Sequence, residues 1–193
     1  MKDKYENFAQ LNSSEPRGSY RIEVCQKESS VALIAPHAGK IEPGTSEICR
    51  YVAGDDLTYY LFEGLKSRNN QDLHITSSNF DEPQGLHIAQ SAQVVVTFHG
   101  QAGSKHFVNV GGRAIDLCKN LIKLLVAEGY NARWQDHPAL QGLASNNICN
   151  RGKRGEGIQL EISRGLRDLL VNDEASIAIF SATIKNALRQ SGL

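Results

Sequence analysis

The 193-residue chain has no excess of either charge: 21 basic and 21 acidic side chains give a formal net charge of zero. A general nucleic-acid or membrane-surface binder shows a net basic face, so neither partner class is expected. No stretch reaches the ~18 apolar residues of a membrane span. The opening Met1-Lys2-Asp3-Lys4-Tyr5-Glu6-Asn7 lacks the apolar stretch of a signal peptide. The expectation is a soluble protein, cytoplasmic as made, which would need a separate release step, such as lysis, to act outside a cell. The four cysteines (Cys25, Cys49, Cys118 and Cys149) include no Cys-x-x-Cys pair, which argues against structural zinc of the finger type. Neither an internal repeat nor a low-complexity segment is present. A composition 40% hydrophobic and 22% charged suits one domain with its own core. We expect residues 1–18 to form a polar lead-in arm, residues 19–193 a single domain, and the protein to be a monomer.

What the chain does contain is an alternation of strand and helix patterns. Strands are expected over Tyr20–Gln26, Val31–Ala35, Leu57–Glu63, Leu73–Ser77, Gln93–Phe98, His106–Val110, Asn131–Gln135 and Gly157–Ser163. Helices are expected from Gly44 and Thr45 to Gly54, over Glu82–Ser91 with Pro83 in the first turn, over Arg113–Glu128 stopped by Gly129, and over Ala175–Gln190. In the third, Ile115, Cys118, Ile122 and Leu125 mark the core face, with Cys118 a buried free thiol. In the last, Ile177, Phe180, Ile184 and Leu188 do so. Such alternation predicts an α/β class protein, an open mixed-sheet α/β/α sandwich. Ligands in such folds gather beyond the carboxyl ends of the strands.

Two histidines stand at such ends. His37 follows Val31–Ala35 and Pro36, and His99 follows three consecutive valines and precedes Gly100. Glu42 lies in the loop after His37, where Gly39 lets the chain bend. Two imidazoles and a carboxylate form the ligand set of a catalytic zinc site that leaves a fourth position for water; cobalt and manganese accept similar donors. Glu47 competes with Glu42, but in the first turn of a helix its charge already has a use against the macrodipole. His74 and His87 lack a convergent partner, His106 is close enough in sequence to His99 to line a cleft, and His137 is read as a loop residue. Glu161, between Leu160 and Ile162, faces away from the apolar side of its strand. Burial there raises its proton affinity and suits it to act as general base on a metal-activated water; the alternative is a structural ion pair with Arg164 or Arg167. The dense basic segment Asn150-Arg151-Gly152-Lys153-Arg154-Gly155, with Arg164 downstream and Arg113 at a helix start, suits carboxylate or phosphate recognition. A merely solvated basic loop is the other reading.

Segments 35–47 (Ala-Pro-His-Ala-Gly-Lys-Ile-Glu-Pro-Gly-Thr-Ser-Glu), 97–100 (Thr-Phe-His-Gly), 110–113 (Val-Gly-Gly-Arg) and 147–164 together resemble the phage-type poly-γ-glutamate hydrolases, also labelled phage-related replication proteins, within the wider carboxypeptidase-A-like zinc group. The resemblance spans roughly Tyr20 to Leu170. It implies a carboxypeptidase-like fold, zinc held by His37, Glu42 and His99, Glu161 as base, and cleavage of γ-glutamyl amide bonds in an anionic polymer. With such a substrate, Arg113, Arg151, Arg154 and Arg164 become the expected substrate contacts. The His-x4-Glu spacing is longer than the His-x2-Glu of carboxypeptidases proper. Two alternatives stay open: another zinc amidase, of N-acyl-glutamate or peptidoglycan type, and a non-catalytic replication-associated binding protein.

Overall fold

Strands buried on both faces belong in the middle of a sheet, and four of them form its centre. In the computed structural model, which describes residues 3–193, β3 (Thr58–Gly64), β2 (Val31–Gly39), β4 (Val94–Gln101) and β7 (Ile158–Ser163) lie side by side and parallel. β1 (Tyr20–Cys25) closes one edge antiparallel to β3. β5 (Val108–Gly111), antiparallel to β7, and β6 (Ala132–Trp134) close the other, so the order is β1-β3-β2-β4-β7-β5-β6. From β2 the chain moves outward to β3, and from β4 it moves to the opposite side. The strand order therefore reverses between β2 and β4, the place where an open α/β sheet leaves a crevice at its carboxyl ends.

Both faces are covered. On one, α2 (Thr45–Ala53), α4 (Ile115–Ala127), α5 (Arg164–Asn172) and α6 (Glu174–Gln190) bury Ile48, Leu121, Leu166 and Phe180 against Leu33, Val96, Phe98 and Leu160. On the other, α1 (Phe8–Ser14), α3 (Pro83–Ser91) and the segment around Leu73 and Ile75 pack against Ile34, Tyr60, Phe62 and Val95. This is the open mixed-sheet α/β sandwich expected from the alternation. Among the described residues, no helix is long and apolar enough to cross a membrane.

One irregularity decides which way a key side chain points. β2 matches β3 through Ala35 opposite Leu61 and resumes with Ala38 opposite Glu63, so three steps on β2 face two on β3. Leu33 and Ala35 join the four-helix side and Ala32 and Ile34 the other, yet Ala38 is again on the four-helix side. Without the extra residue His37 would follow Leu33 and Ala35 into that core, because strand side chains alternate with a period of two. The bulge reverses the parity and turns His37 to the face of Ile34. Pro36, with no N–H to donate to a ladder, occupies it.

The elements follow the sequence pattern with informative departures. Leu73–Ser77 is no strand: a 3-10 turn, Asn70–Leu73, leads into an irregular stretch. Leu73 and Ile75 alternate because both are buried on the sheet face, while the backbone bonds to side chains, Ile75 O to His37 and Thr76 N to Asp3. α4 has the expected extent but a rotated core face, with Leu117, Cys118, Leu121 and Leu125 buried and Ile115 39% exposed. α6 buries the four residues expected of it. The polar residues before 18 contain α1, capped by the Asn7 side chain accepting from Gln10 N, and bury Tyr5 and Leu11. α5 begins where β7 ends, with no loop to announce it, the Ser163 hydroxyl accepting from Leu166 N. All four cysteines are free thiols, and Cys118 is buried.

Gly157 shows how tightly the β7 entry is packed: a β-carbon there would overlap the Cys149 carbonyl oxygen and stand 2.5 Å from Val95 O. Gly157→Ala is expected to cost about 1–3 kcal/mol, the usual penalty of overpacking. At roughly 2–4 °C per kcal/mol for a chain of this size, thermal unfolding should show a clear drop in midpoint.

Candidate active site

The carboxyl ends of β2, β4 and β7 bring His37, His99 and Glu161 to one face. On β4, Val94, Val96 and Phe98 point to the four-helix side, which leaves His99 on the other. On β7, Ile158, Leu160 and Ile162 do the same and leave Gln159 and Glu161 beside it. His99 and Glu161 are direct register partners. Glu42 enters from the loop after β2, where its backbone N–H donates to His37 O at 2.9 Å.

His37, Glu42 and His99 each present a ligand atom within 4.8 Å of the others, and such a set can hold a metal ion. The two Nδ1 atoms are 3.2 Å apart, and Glu42 oxygens lie 3.4 Å from that of His37 and 3.9 Å from that of His99. His37 Nε2 is 2.8 Å from the Ile75 carbonyl oxygen. A carbonyl only accepts, so the neutral ring carries its proton on Nε2 and turns its Nδ1 lone pair toward His99 and Glu42. A metal-ligating histidine is oriented in the same way. His99 Nε2 stands 3.4 Å from Ser77 Oγ. Glu42 Oε2 accepts from Gly100 N at 2.7 Å. The donor set, its burial and its preset tautomer thus fit a borderline cation such as zinc.

The electrostatics are those of charges removed from water. Burial drives the His99 pKa down to about 3, with the Glu42 charge opposing the shift and His37 adding to it. For His37 burial also pulls downward, but the neighbouring Glu42 outweighs it and the pKa rises. Burial would raise Glu42, yet His37, His99 and the Gly100 N–H hold it below the usual carboxylate range. Glu161 moves the other way: burial first, then the Glu42 charge, push it up to about 8. Its Oε1 accepts a 2.9 Å hydrogen bond from Gln159 Nε2, whose amide also donates to Leu140 O and whose Oε1 accepts from Asn147.

A cavity of about 590 Å³ opens over this cluster, walled by Thr76–Ser78 on one side and the 137–144 loop on the other. Among the described residues, none that lines it is a lysine or arginine. The four expected substrate arginines lie apart from it. The 151–154 loop bonds to Ala92 O and Gln93 O at the start of β4, the opposite end of the strand from His99. Arg113 and Arg154 line a separate depression there with Val94 and Glu156. Arg164 is half-exposed and paired with Asp168 at 2.7 Å, away from the cavity. Glu47 is exposed on α2. His106 lines the same shallow depression as Arg164, while His137 lines the cavity itself. Sequence reading missed His74, which stacks on His37 with ring centroids 3.9 Å apart and is held by Asp3 at 2.6 Å. It also missed Gln159, although a residue two before Glu161 on the same strand shares its face.

Fold and cluster together define an α/β protein with a buried His-Glu-His group of metal-ligating type beside a proton-loving glutamate. The profile of the poly-gamma-glutamate hydrolase family matches residues 5–183, and the chain belongs to that family. UPF0714 protein YmaC of Bacillus subtilis (strain 168) is 42% identical over 173 residues, covering 89% of this chain and 73% of YmaC. A solved structure of YndL in an apo, zinc-free form superposes with a TM-score of 0.91 at 35% identity, covering 100% of both chains. A bacteriophage poly-gamma-glutamate hydrolase structure also gives 0.91, at 31% identity and covering 98% of both.

If Glu161 binds its proton more tightly in the folded chain than in the unfolded one, its effect on stability has a definite sign. Between the ordinary carboxylate pKa and about 8 the unfolded state ionises while the folded state stays protonated. Stability therefore falls as pH rises through that window and is level below it. In metal-free protein, Glu161→Gln should match the parent near pH 4. Near pH 8 it should melt several degrees higher, at roughly 2–4 °C per kcal/mol, in a calorimetric or circular-dichroism series.

Proposed function

We propose that the protein is a zinc-dependent hydrolase that cleaves γ-glutamyl amide bonds of poly-γ-glutamate. His37, Glu42 and His99 hold the metal, and Glu161 is the general base. The observation that carries the reading is the pairing, across adjacent strands, of a ready-made ligand set with a carboxyl group whose pKa is near 8. Family membership and the zinc-free form of the similar YndL support the choice of substrate and metal.

When bound, zinc supplies Lewis-acid polarisation of the scissile carbonyl and a lowered pKa for water. The chain's own residues do the rest. A cation beside Glu161 pulls its pKa back from about 8 toward neutrality, where a general base is most effective. Glu161 then takes a proton from the attacking water and returns it to the leaving nitrogen. Gln159 keeps the carboxylate aimed by bonding one oxygen and leaving the other free. His37 and His99 stay neutral donors, the first through its Nε2–H on Ile75 O.

The substrate carries a carboxylate on every unit, yet the cavity wall offers neutral hydroxyl donors: Thr76, Ser77 and Ser78. We assign carboxylate binding near the reacting bond to these groups. Arg113, Arg151 and Arg154, at the far end of β4, can meet only distant parts of a long polymer.

Metal analysis with a viscosity assay on poly-γ-glutamate, with and without chelator, tests the reading. One zinc per chain and chelator-sensitive loss of viscosity are expected. His99→Ala should lose the metal, and full occupancy in that variant would sink the ligand assignment. Glu161→Gln should keep the zinc and lose about 10²–10⁴-fold in turnover, the range ascribed to general-base catalysis. If it loses the zinc instead, Glu161 is a ligand.

A further inference from the structure

Arg167 is the least expected charge in the molecule. It is on α5, is only 5% exposed, and forms no ion pair among the described residues. An unpaired guanidinium is costly to bury unless its N–H groups are satisfied. Here backbone carbonyls from three separate places satisfy the Nε and Nη1 hydrogens. Nε donates to Pro43 O at 2.7 Å; Nη1 donates to Gln101 O at 3.4 Å and, more closely, to Ile162 O. Pro43 follows Glu42, Gln101 is two residues beyond His99, and Ile162 follows Glu161. One rigid side chain is thus bonded to the three segments that carry the loop ligand, the β4 ligand and the base.

Two glycines make room for it. A β-carbon on Gly100 would lie 2.6 Å from the guanidinium carbon, and one on Gly44 would lie 3.0 Å from Arg167 Cβ. The side chain is therefore laid flat against the backbone between the Glu42 loop and the end of β4, where Gly100 N donates to Glu42. Lysine cannot replace this: its single ammonium lacks the planar fork that reaches carbonyls in divergent directions.

We propose that Arg167 is a positioning residue that sets the spacing of Glu42, His99 and Glu161 by clamping the backbone next to each. The proposal rests on the zinc reading of His37, Glu42 and His99. Residues that orient ligands from behind typically affect metal affinity by about 10–100-fold. The test compares zinc affinity, by chelator competition, in the full chain and in Arg167→Lys and Arg167→Met. The metal-free melting temperature and the separate kcat and KM values are read alongside. Both variants should bind zinc at least about tenfold more weakly while their metal-free forms still melt cooperatively, and kcat should fall with little change in KM. Arg167→Lys, which keeps the charge and most of the volume, decides the matter should Arg167→Met fail to fold. Zinc affinity and kcat at parent values beside a lowered melting temperature would show a purely structural role and overturn the proposal alone. Absence of a zinc site in the parent protein would overturn the metal reading and this proposal with it.

Discussion

The extra residue in β2 is the constraint on which the site depends. Strand periodicity places Leu33 and Ala35 on the four-helix side, and a regular strand would bury His37 there among Ile48 and Phe98. The bulge at Pro36-His37 reverses the parity within a single step. It brings the imidazole to within 3.2 Å of His99 and its Nε2 to the Ile75 carbonyl. A bulge disrupts the ladder locally and leaves a residue unpaired, and Pro36 lessens that cost by having no N–H to lose. The Glu42 N–H then donates to His37 O at 2.9 Å, which ties the loop carrying the third cluster residue to the bulged strand.

Placing these groups out of water creates a balance that the surroundings must maintain. Burial first, and the nearby Glu42 charge second, push the Glu161 pKa up to about 8. A buried carboxyl group that cannot ionise freely becomes neutral instead. In the metal-free chain the cluster thus carries fewer charges than its residue list suggests: His99 is neutral and Glu161 protonated through most of the physiological range. Arg167 adds a buried positive charge whose field reaches Glu42 and Glu161 without contact. Its carbonyl partners allow that charge to stay, and they belong to the segments the site must hold still.

Much of this was legible in the sequence, and the failures have physical causes. Glu161 could be placed because Leu160 and Ile162 flank it on a strand with period-two alternation, and His99 because it ends a buried apolar run just before Gly100. His37 was found for its position at a strand exit, although the bulge that orients it has only Ala35-Pro36 as a signal. His74 was passed over because its neighbours Leu73 and Ile75 alternate like a strand; that alternation comes from packing on the sheet and not from pairing. α5 was missed because Ser163 is both the last strand residue and the helix cap. Arg167 was consequently read as a possible ion-pair partner of Glu161. Arg151 and Arg154 were grouped by nearness in sequence to Glu161 and Arg113 was chosen as a cation at a helix start, but all three lie toward the start of β4, at the far end of the strand from His99.

That separation bears on how a polyanion can be handled. Arginines beside a metal and a raised-pKa glutamate would hold Glu161 ionised, since a nearby cation favours the charged form. They would also compete with the metal for the substrate's carbonyl and carboxylate oxygens. Under the proposed function, hydroxyl groups such as those of Ser77 and Ser78 would meet carboxylates without adding a cation beside Glu161. The one arginine close to the ligands, Arg167, has its Nε and Nη1 turned to the backbone. Those two nitrogens are thereby tied to the backbone beside the His37, Glu42 and His99 cluster, and no lysine or arginine among the described residues lines the cavity over it.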